Sequence, residues 1–128
     1  MPLVQLAAVA ACAVLACLAV FQAALISGAP LGRMAWGGQH EVLPAGLRVG
    51  SAVSIVLYAA FGYAALAKAE LVPPLGNEVV TSVVTWVLAG YFALGVVMNA
   101  ISRSKSERDV MTPVALALAV AYLVLAVN

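Results

Sequence analysis

Four long apolar runs constrain this chain more than any other feature of its sequence. A helix crosses the roughly 30 Å hydrocarbon core of a bilayer in about 20 residues. The runs are uniformly apolar rather than alternating over about 10 residues, which predicts helices and not the strands of a membrane β-barrel. The predicted fold is all-α, a four-helix transmembrane bundle in a single integral membrane domain. The spans are expected at residues 3–26, 47–67, 79–101 and 113–127.

Composition excludes two other classes. Hydrophobic residues make up 66% of the 128 residues and charged residues 9%, whereas soluble domains are about 45–50% apolar and about 25% charged. The chain is therefore not a soluble globular domain. Its formal net charge of +1 provides no basic field for nucleic acid, so that partner is excluded as well.

Local sequence predicts where several spans begin and end. Residues 72–77 contain two prolines and a glycine that a helix cannot continue through, so spans two and three should form an antiparallel hairpin. Asn77 is expected to cap the third span. Thr112 followed by Pro113 predicts an N-cap and first helical residue for the fourth. That span is short, so it must tilt little, thin the bilayer or include residues before Pro113.

The basic residues predict the orientation in the membrane. With four spans, the termini and the second connection lie on one side, and the first and third connections lie on the other. Lys and Arg are retained on the cytoplasmic side. We therefore expect a multi-pass protein of the bacterial inner membrane with both termini outside. Five of the six basic residues are in or beside the first and third connections: Arg33, Arg48, Arg103, Lys105 and Arg108.

The first connection, residues 27–47, is long and rich in glycine, and it holds the only histidine. Long connections are often functional. One interpretation is a segment that folds back between the helix ends. The other is an interfacial loop with Trp36 in the aromatic belt and Arg33 and Arg48 at lipid phosphates.

Polar residues of the spans fall at the face that carries this connection. Such side chains seek partners inside a bundle. They predict either a shallow polar pocket with Arg33, Trp36 and His40 as its lid, or ordinary interhelical hydrogen bonds. These residues are Gln22, Ser51, Ser54, Asn99 and Thr112.

Signals of catalysis, redox chemistry and ion-coupled transport are weak in this sequence. His40 and Glu41 are the one acid–base pair, and a metal would need three or four ligands. We assign no catalytic residue, metal or cofactor. Cys12 and Cys17, five residues apart, are interpreted as small packing residues rather than a redox pair. An ion-coupled transporter would place a charge deep in a span, and these spans hold none.

The third connection, residues 102–109, has two interpretations. Its serines and mixed charges favour binding of anionic head groups or a cytosolic partner, or else a solvated hairpin with local Arg pairs to Glu and Asp. Span two has a narrow face of mostly small residues at every fourth position, which indicates a tight bundle, a homo-oligomer or a membrane partner protein; this face consists of Gly46, Gly50, Ser54, Tyr58 and Gly62. The ligand or partner candidates are Arg33, Trp36, Gln39, His40, Glu41, Arg48, Gln22, Ser51, Ser54, Asn99 and Arg103.

Two groups of motifs carry a resemblance to a known family. The first is GAPLG at 28–32, AWGGQH at 35–40 and LP at 43–44, and the second is NAISRS at 99–104, ER at 107–108 and MTPVA at 111–115. With them the chain resembles an uncharacterised family of small four-span bacterial integral membrane proteins. The resemblance implies four spans and two important loops on one side, and it implies no mechanism.

The sequence therefore predicts a non-enzymatic binding or accessory module that works through loops 27–47 and 102–109. The bilayer and its anionic lipid head groups are the expected partners. An alternative is a small oligomeric transporter or channel for an uncharged or anionic solute. A third is a lipid-modifying enzyme with His40 and Glu41 as acid and base.

Overall fold

The computed structural model describes residues 2–128, and this range is helical with no strand. Each of its four long helices is long and apolar enough to cross a membrane. The predicted all-α, four-helix fold with a long Gly-rich first connection is confirmed. The helices are α1 (Leu3–Ile26), α2 (Ala45–Lys68), α3 (Glu78–Ala100) and α4 (Lys105–Val127).

The helices form a ring in which sequence neighbours pack side by side. The α1–α2 and α3–α4 pairs make the most extensive contacts, and α4 returns against α1. The α2–α3 contact is much smaller. The bundle therefore consists of two tight hairpins that meet closely along α1 and α4 and loosely along α2 and α3.

The main apolar core lies in the half of the bundle that carries the chain termini, called here the terminal half. Leu15, Leu118 and Leu125 are almost fully buried there among alanines that let the helices approach closely. Tyr122 is fully buried and its hydroxyl donates to the Phe61 carbonyl at 2.6 Å. A polar group in this core therefore has its partner, as burial requires.

The outward faces of the helices are apolar. Val20, Val56, Val79 and Val87 are each more than 60% exposed, and within the most apolar part of each span only 22–28% of the residues are buried. Such a surface suits lipid and not water.

The α2–α3 connection agrees with the sequence prediction. Asn77 precedes α3, its side chain accepts a hydrogen bond from the Val80 amide at 2.9 Å, and Glu78 lies in the first turn. The predicted cap of the third span is confirmed. Tyr63 near the end of α2 donates to the Pro73 carbonyl at 2.9 Å, which ties this connection to the bundle.

The predicted start of the fourth helix at Thr112 and Pro113 is wrong. The helix begins at Lys105, and both residues lie inside it. The cap is Ser104, whose hydroxyl accepts from the Glu107 amide at 3.3 Å; this satisfies a free donor of the first turn. Proline lacks a backbone donor and its ring crowds the carbonyl four residues earlier, but α4 continues through Pro113 without a break in the assigned helix. The alternative in which the span includes residues before Pro113 is the one found.

Candidate functional site

The first connection is a folded cap over the ends of α1 and α2. It contains two short 3-10 turns, Gly32–Met34 and Trp36–Gly38. The Gly32 amide donates to the Glu41 carbonyl at 2.8 Å and closes the segment on itself. A side chain at Gly32 would overlap the His40 carbonyl, so this close approach requires glycine.

A small apolar cluster and one arginine attach this cap to the bundle. Ala35 and Leu43 of the connection are buried against Leu25 of α1. The Arg48 guanidinium donates to the Leu43 carbonyl at 2.8 Å and to the Ile26 carbonyl at 3.5 Å. Arg48 therefore holds the connection to the end of α1, because its donors are directed to backbone carbonyls.

Trp36 has an uncommon backbone conformation, with φ of 53°. Left-handed geometry in a non-glycine residue costs about 1–3 kcal/mol and persists only where its surroundings impose it. The indole N–H donates to the buried Ser51 hydroxyl at 3.2 Å, and the ring lies so close to Gly50 that a β-carbon there would come within 2.9 Å of it. The ring is thereby fixed against α2 although 42% of the residue is exposed.

Glu107, in the first turn of α4, joins the two connections. It is only 8% exposed, and its carboxylate accepts a hydrogen bond from the Gly37 amide at 3.1 Å. In a complete capping box this carboxylate would bind the backbone amide of the cap residue, but here the Ser102 hydroxyl accepts from the Ser104 amide instead. The Ser104 hydroxyl also donates to the Arg33 carbonyl. Glu107 is therefore free to bind across to the first connection.

A cavity of about 510 Å³ lies beneath Trp36, in the half of the bundle that carries the first and third connections, called here the loop half. It lies where α2 and α3 separate, and all four helices contribute to its wall. Most of its lining is apolar and aromatic. Its lining residues with polar side-chain atoms are Gln22, Trp36, Ser54, Tyr58, Tyr91, Asn99 and Glu107.

Two polar side chains of this cavity bond within their own helix, and a third bonds to the neighbouring helix. Ser54 and Asn99 each donate to a carbonyl one turn earlier in their own helix, at 3.0 and 2.8 Å. The Gln22 amide nitrogen donates to the Tyr58 hydroxyl at 3.2 Å, whereas its amide oxygen is buried without a partner. An unpaired buried acceptor is costly, so the cavity holds hydrogen-bonding capacity that the chain itself leaves unused.

A second, outer cleft of about 930 Å³ lies on the surface between the first and third connections. Arg33, Gln39, Arg103 and Lys105 line it. The wall that separates it from the inner cavity is formed by the residues common to both: Trp36, Met98, Asn99 and Glu107.

The structure brings together most of the residues selected from sequence. Gln22, Trp36, Ser54 and Asn99 line the inner cavity, Ser51 supports Trp36 from behind, and Arg33, Gln39 and Arg103 border the outer cleft. The remaining candidates lie elsewhere. His40 and Glu41 are exposed and line neither space. The Arg48 guanidinium lies at the end of α1, and the Thr112 hydroxyl is buried without a partner outside both spaces.

Glu107 was not among the candidates selected from sequence, because the third connection was interpreted as a binding loop or a solvated hairpin and not as the start of a helix. A sequence signal for a helix start was present, however. Serine followed three residues later by glutamate is typical of a helix N-terminus, and Ser104 and Glu107 have that spacing. The expected local Arg pairs are replaced by other bonds, since Arg108 donates to the Ser102 carbonyl at 2.9 Å.

The described residues contain no cluster of three or more His, Cys, Asp or Glu that could hold a metal ion. Comparison of the chain with protein-family models, with curated proteins and with solved structures finds no match. The geometry itself is that of a small-molecule site: a mostly apolar cavity with a few convergent polar groups.

Proposed function

We propose that the protein is a non-enzymatic membrane binding module whose ligand is a small amphipathic molecule held in the inner cavity. The observation that carries this proposal is the cavity of about 510 Å³ beneath a roof fixed to α2 and α4. Pockets for small molecules measure about 300–1,000 Å³ and combine apolar walls with few polar groups.

The ligand enters sideways from the bilayer, between α2 and α3. These helices contact each other near Phe61, whose ring centroid lies 5.7 Å from that of Tyr91. Because α2 and α3 make only a small contact, the cavity opens between them. Three of the residues that line it, Tyr91, Leu94 and Met98, are more than half exposed. A molecule dissolved in the bilayer therefore reaches the cavity without crossing water.

Binding is favoured over permeation by the packing below the cavity. Its lining ends at Phe92 and Leu118, which belong to the filled core of the terminal half. Tyr122 closes the next layer with its ring centroid 5.1 Å from that of Phe92. A channel or transporter would need a route through this layer. An enzyme that used His40 and Glu41 would need them beside the ligand, and both lie outside the cavity.

Membrane and orientation are part of the same proposal. We assign the loop half to the cytoplasmic side of a bacterial inner membrane, with both termini outside, because five of the six basic residues flank the first and third connections. Anionic lipid head groups would contact Arg33 and Arg103 at the outer cleft. Two further statements stay predictions. One is membership of the uncharacterised four-span family that the loop motifs suggest, and the other is pairing with a second copy or a membrane partner protein.

The test uses two glycines of the same helix. Gly95 lines the cavity, and Gly90 lies in an outer groove between α3 and α4. Gly95→Leu fills the cavity and Gly90→Leu does not, while both replace a helical glycine by a better helix former. Each variant is reconstituted in phosphatidylcholine nanodiscs with Trp86→Phe, so that the emission of Trp36 alone reports the titration of 1-decanol.

We expect decanol to shift the Trp36 emission saturably and to raise the unfolding temperature in the parent protein and in Gly90→Leu. In Gly95→Leu both responses should be lost while the protein still unfolds cooperatively. Equal responses in both glycine variants, or no saturable response in the parent protein, would contradict the proposed binding site.

A further inference from the structure

The Glu107 carboxylate has a single hydrogen-bond partner among residues 2–128. It is buried, and the chain supplies one hydrogen bond to it, from the Gly37 amide at 3.1 Å. An ionised carboxylate offers about four acceptor positions, and a buried charge is stable when it is paired and hydrogen-bonded. Its place in the first turn of α4 supplies part of the compensation through the helix dipole, and the rest is open to a ligand.

Two nearby cationic side chains bind backbone carbonyls and not Glu107. The Arg33 guanidinium donates to the Gly38 carbonyl at 2.9 Å, and Arg108 donates to the Ser102 carbonyl. Among residues 2–128, the lining of the inner cavity includes no Lys, Arg or His, so Glu107 is its one charged group. The cavity itself is therefore a negatively charged site in an apolar wall.

Aromatic rings form a large share of that wall. Aromatic faces attract cations, most strongly where water is displaced, and thioether sulfurs are polarisable and adapt to varied ligands. The aromatic and methionine residues that line the cavity are Phe21, Trp36, Tyr58, Tyr91, Phe92, Met34, Met98 and Met111.

We infer that the cavity selects amphiphiles with a cationic head group, of the alkylammonium class, whose ammonium is bound by the Glu107 carboxylate and whose chain lies between α2 and α3. This inference rests on the proposed function and adds the chemistry of the ligand. The position of Glu107 at the start of α4 places the head group at the level of the helix ends, where charge is tolerated. The chain then extends into the apolar part of the cavity.

The outer cleft favours a different class of ligand, an anionic amphiphile. Arg33 and Arg103 are exposed there. Salt at physiological ionic strength, where the Debye length is about 8 Å, screens exposed charges more than buried ones. An anionic amphiphile would bind these arginines from outside, and removing the charge of Glu107, which also lines this cleft, would not weaken its binding. A cationic amphiphile would depend on Glu107.

The experiment titrates three compounds of equal chain length, decylammonium, decanol and decanoate, into phosphatidylcholine nanodiscs at pH 7 with Trp36 emission as the readout. The variants are Glu107→Gln and its matched control Glu41→Gln, which makes the same charge change at an exposed site of the first connection. Glutamine at position 107 keeps an acceptor for the Gly37 amide, and unfolding of each variant is measured in parallel.

We expect the parent protein to bind decylammonium about tenfold or more tightly than decanol, since charge-assisted hydrogen bonds are about twice as strong as neutral ones. Glu107→Gln should remove this difference and leave decanol binding unchanged, and Glu41→Gln should preserve it. The comparison within the parent protein holds even if Glu107→Gln does not fold.

The experiment distinguishes an error in the proposed cation selectivity from an error in the proposed binding site. Decanol bound as tightly as decylammonium, with binding lost in Gly95→Leu, overturns cation selection and keeps the binding site. Tighter binding of decanoate likewise overturns it in favour of anionic ligands. Absence of binding by all three compounds overturns both proposals.

Discussion

The terminal half and the loop half of the bundle use the same kind of helix for different purposes. In the terminal half, Leu118, Tyr122 and Leu125 fill the space between helices, and the one buried hydroxyl among them has its carbonyl partner. In the loop half, a cavity replaces the filled core, the Gln22 oxygen is unpaired and Trp36 is in a left-handed conformation. Departures from good packing concentrate where a site is needed. The terminal half is thus filled by side chains, and the loop half contains the space that the proposed ligand would occupy.

The largest difference between the halves should appear at two glycines with left-handed backbones. Gly38 in the cap has φ of 72°, and Gly76 in the α2–α3 connection has φ of 67°. A β-carbon at Gly38 would overlap the Ser104 side chain, whereas at Gly76 its nearest neighbour, Val80, is 3.9 Å away. Gly38→Ala should lower the free energy of unfolding by about 3 kcal/mol and Gly76→Ala by about 1 kcal/mol, because only the first adds a clash to the left-handed penalty.

Chemical unfolding in mild detergent, followed by circular dichroism, measures both values. Trp36 emission should also change in Gly38→Ala, since the cap would separate from α4. Equal losses at the two positions would show that the cap is not held against Ser104.

Two helix caps provide the second comparison. The Asn77 side chain makes only the cap bond of α3 among the described residues, whereas the Ser104 side chain caps α4 and also donates to the Arg33 carbonyl. Asn77→Ala should cost about 1 kcal/mol, the usual value for a cap, and Ser104→Ala about 2 kcal/mol, because a hydrogen bond between the connections is lost as well. Ser104→Thr, which keeps the hydroxyl, is the control. A loss at Ser104 no larger than at Asn77 would mean that its bond to Arg33 contributes nothing to stability.

The terminal half could be predicted from sequence and the loop half only in part. Span lengths follow from bilayer thickness, and Asn77 marks the start of α3 by a local rule, so both were predictable. Candidates such as Gln22 and Asn99 followed from their depth in the spans. Burial of Glu107 could not be predicted, because its partner is the Gly37 amide, 70 residues away in the chain. Such a contact depends on how the first connection folds over α4.

The two halves should also differ in the stability that is lost when a tyrosine hydroxyl is removed. Tyr122 donates to the Phe61 carbonyl inside the filled core, and Tyr58 accepts from Gln22 at the wall of the cavity. Tyr122→Phe should cost about 1–1.5 kcal/mol, because a buried hydrogen bond to the Phe61 carbonyl is lost, although that carbonyl keeps its bond within α2. Tyr58→Phe should cost less than about 0.5 kcal/mol, because the cavity has room for a water that takes the place of the hydroxyl. Equal costs would indicate that the cavity is closed to water.

The smallest effect is expected at the edge of the loop half. His40 and Gln39 are adjacent and both exposed, but only Gln39 borders the outer cleft. Exposed substitutions away from special features change stability by no more than about 0.5 kcal/mol, so His40→Ala and Gln39→Ala should unfold like the parent protein. Decanol titration, followed by Trp36 emission, should also be unchanged in His40→Ala, since the imidazole touches neither cavity. If His40→Ala abolished this response while Gln39→Ala preserved it, the site would include the exposed 40–41 segment. Acid–base chemistry at His40 and Glu41 would then replace simple binding as the function to test, because that segment holds the one acid–base pair in the sequence.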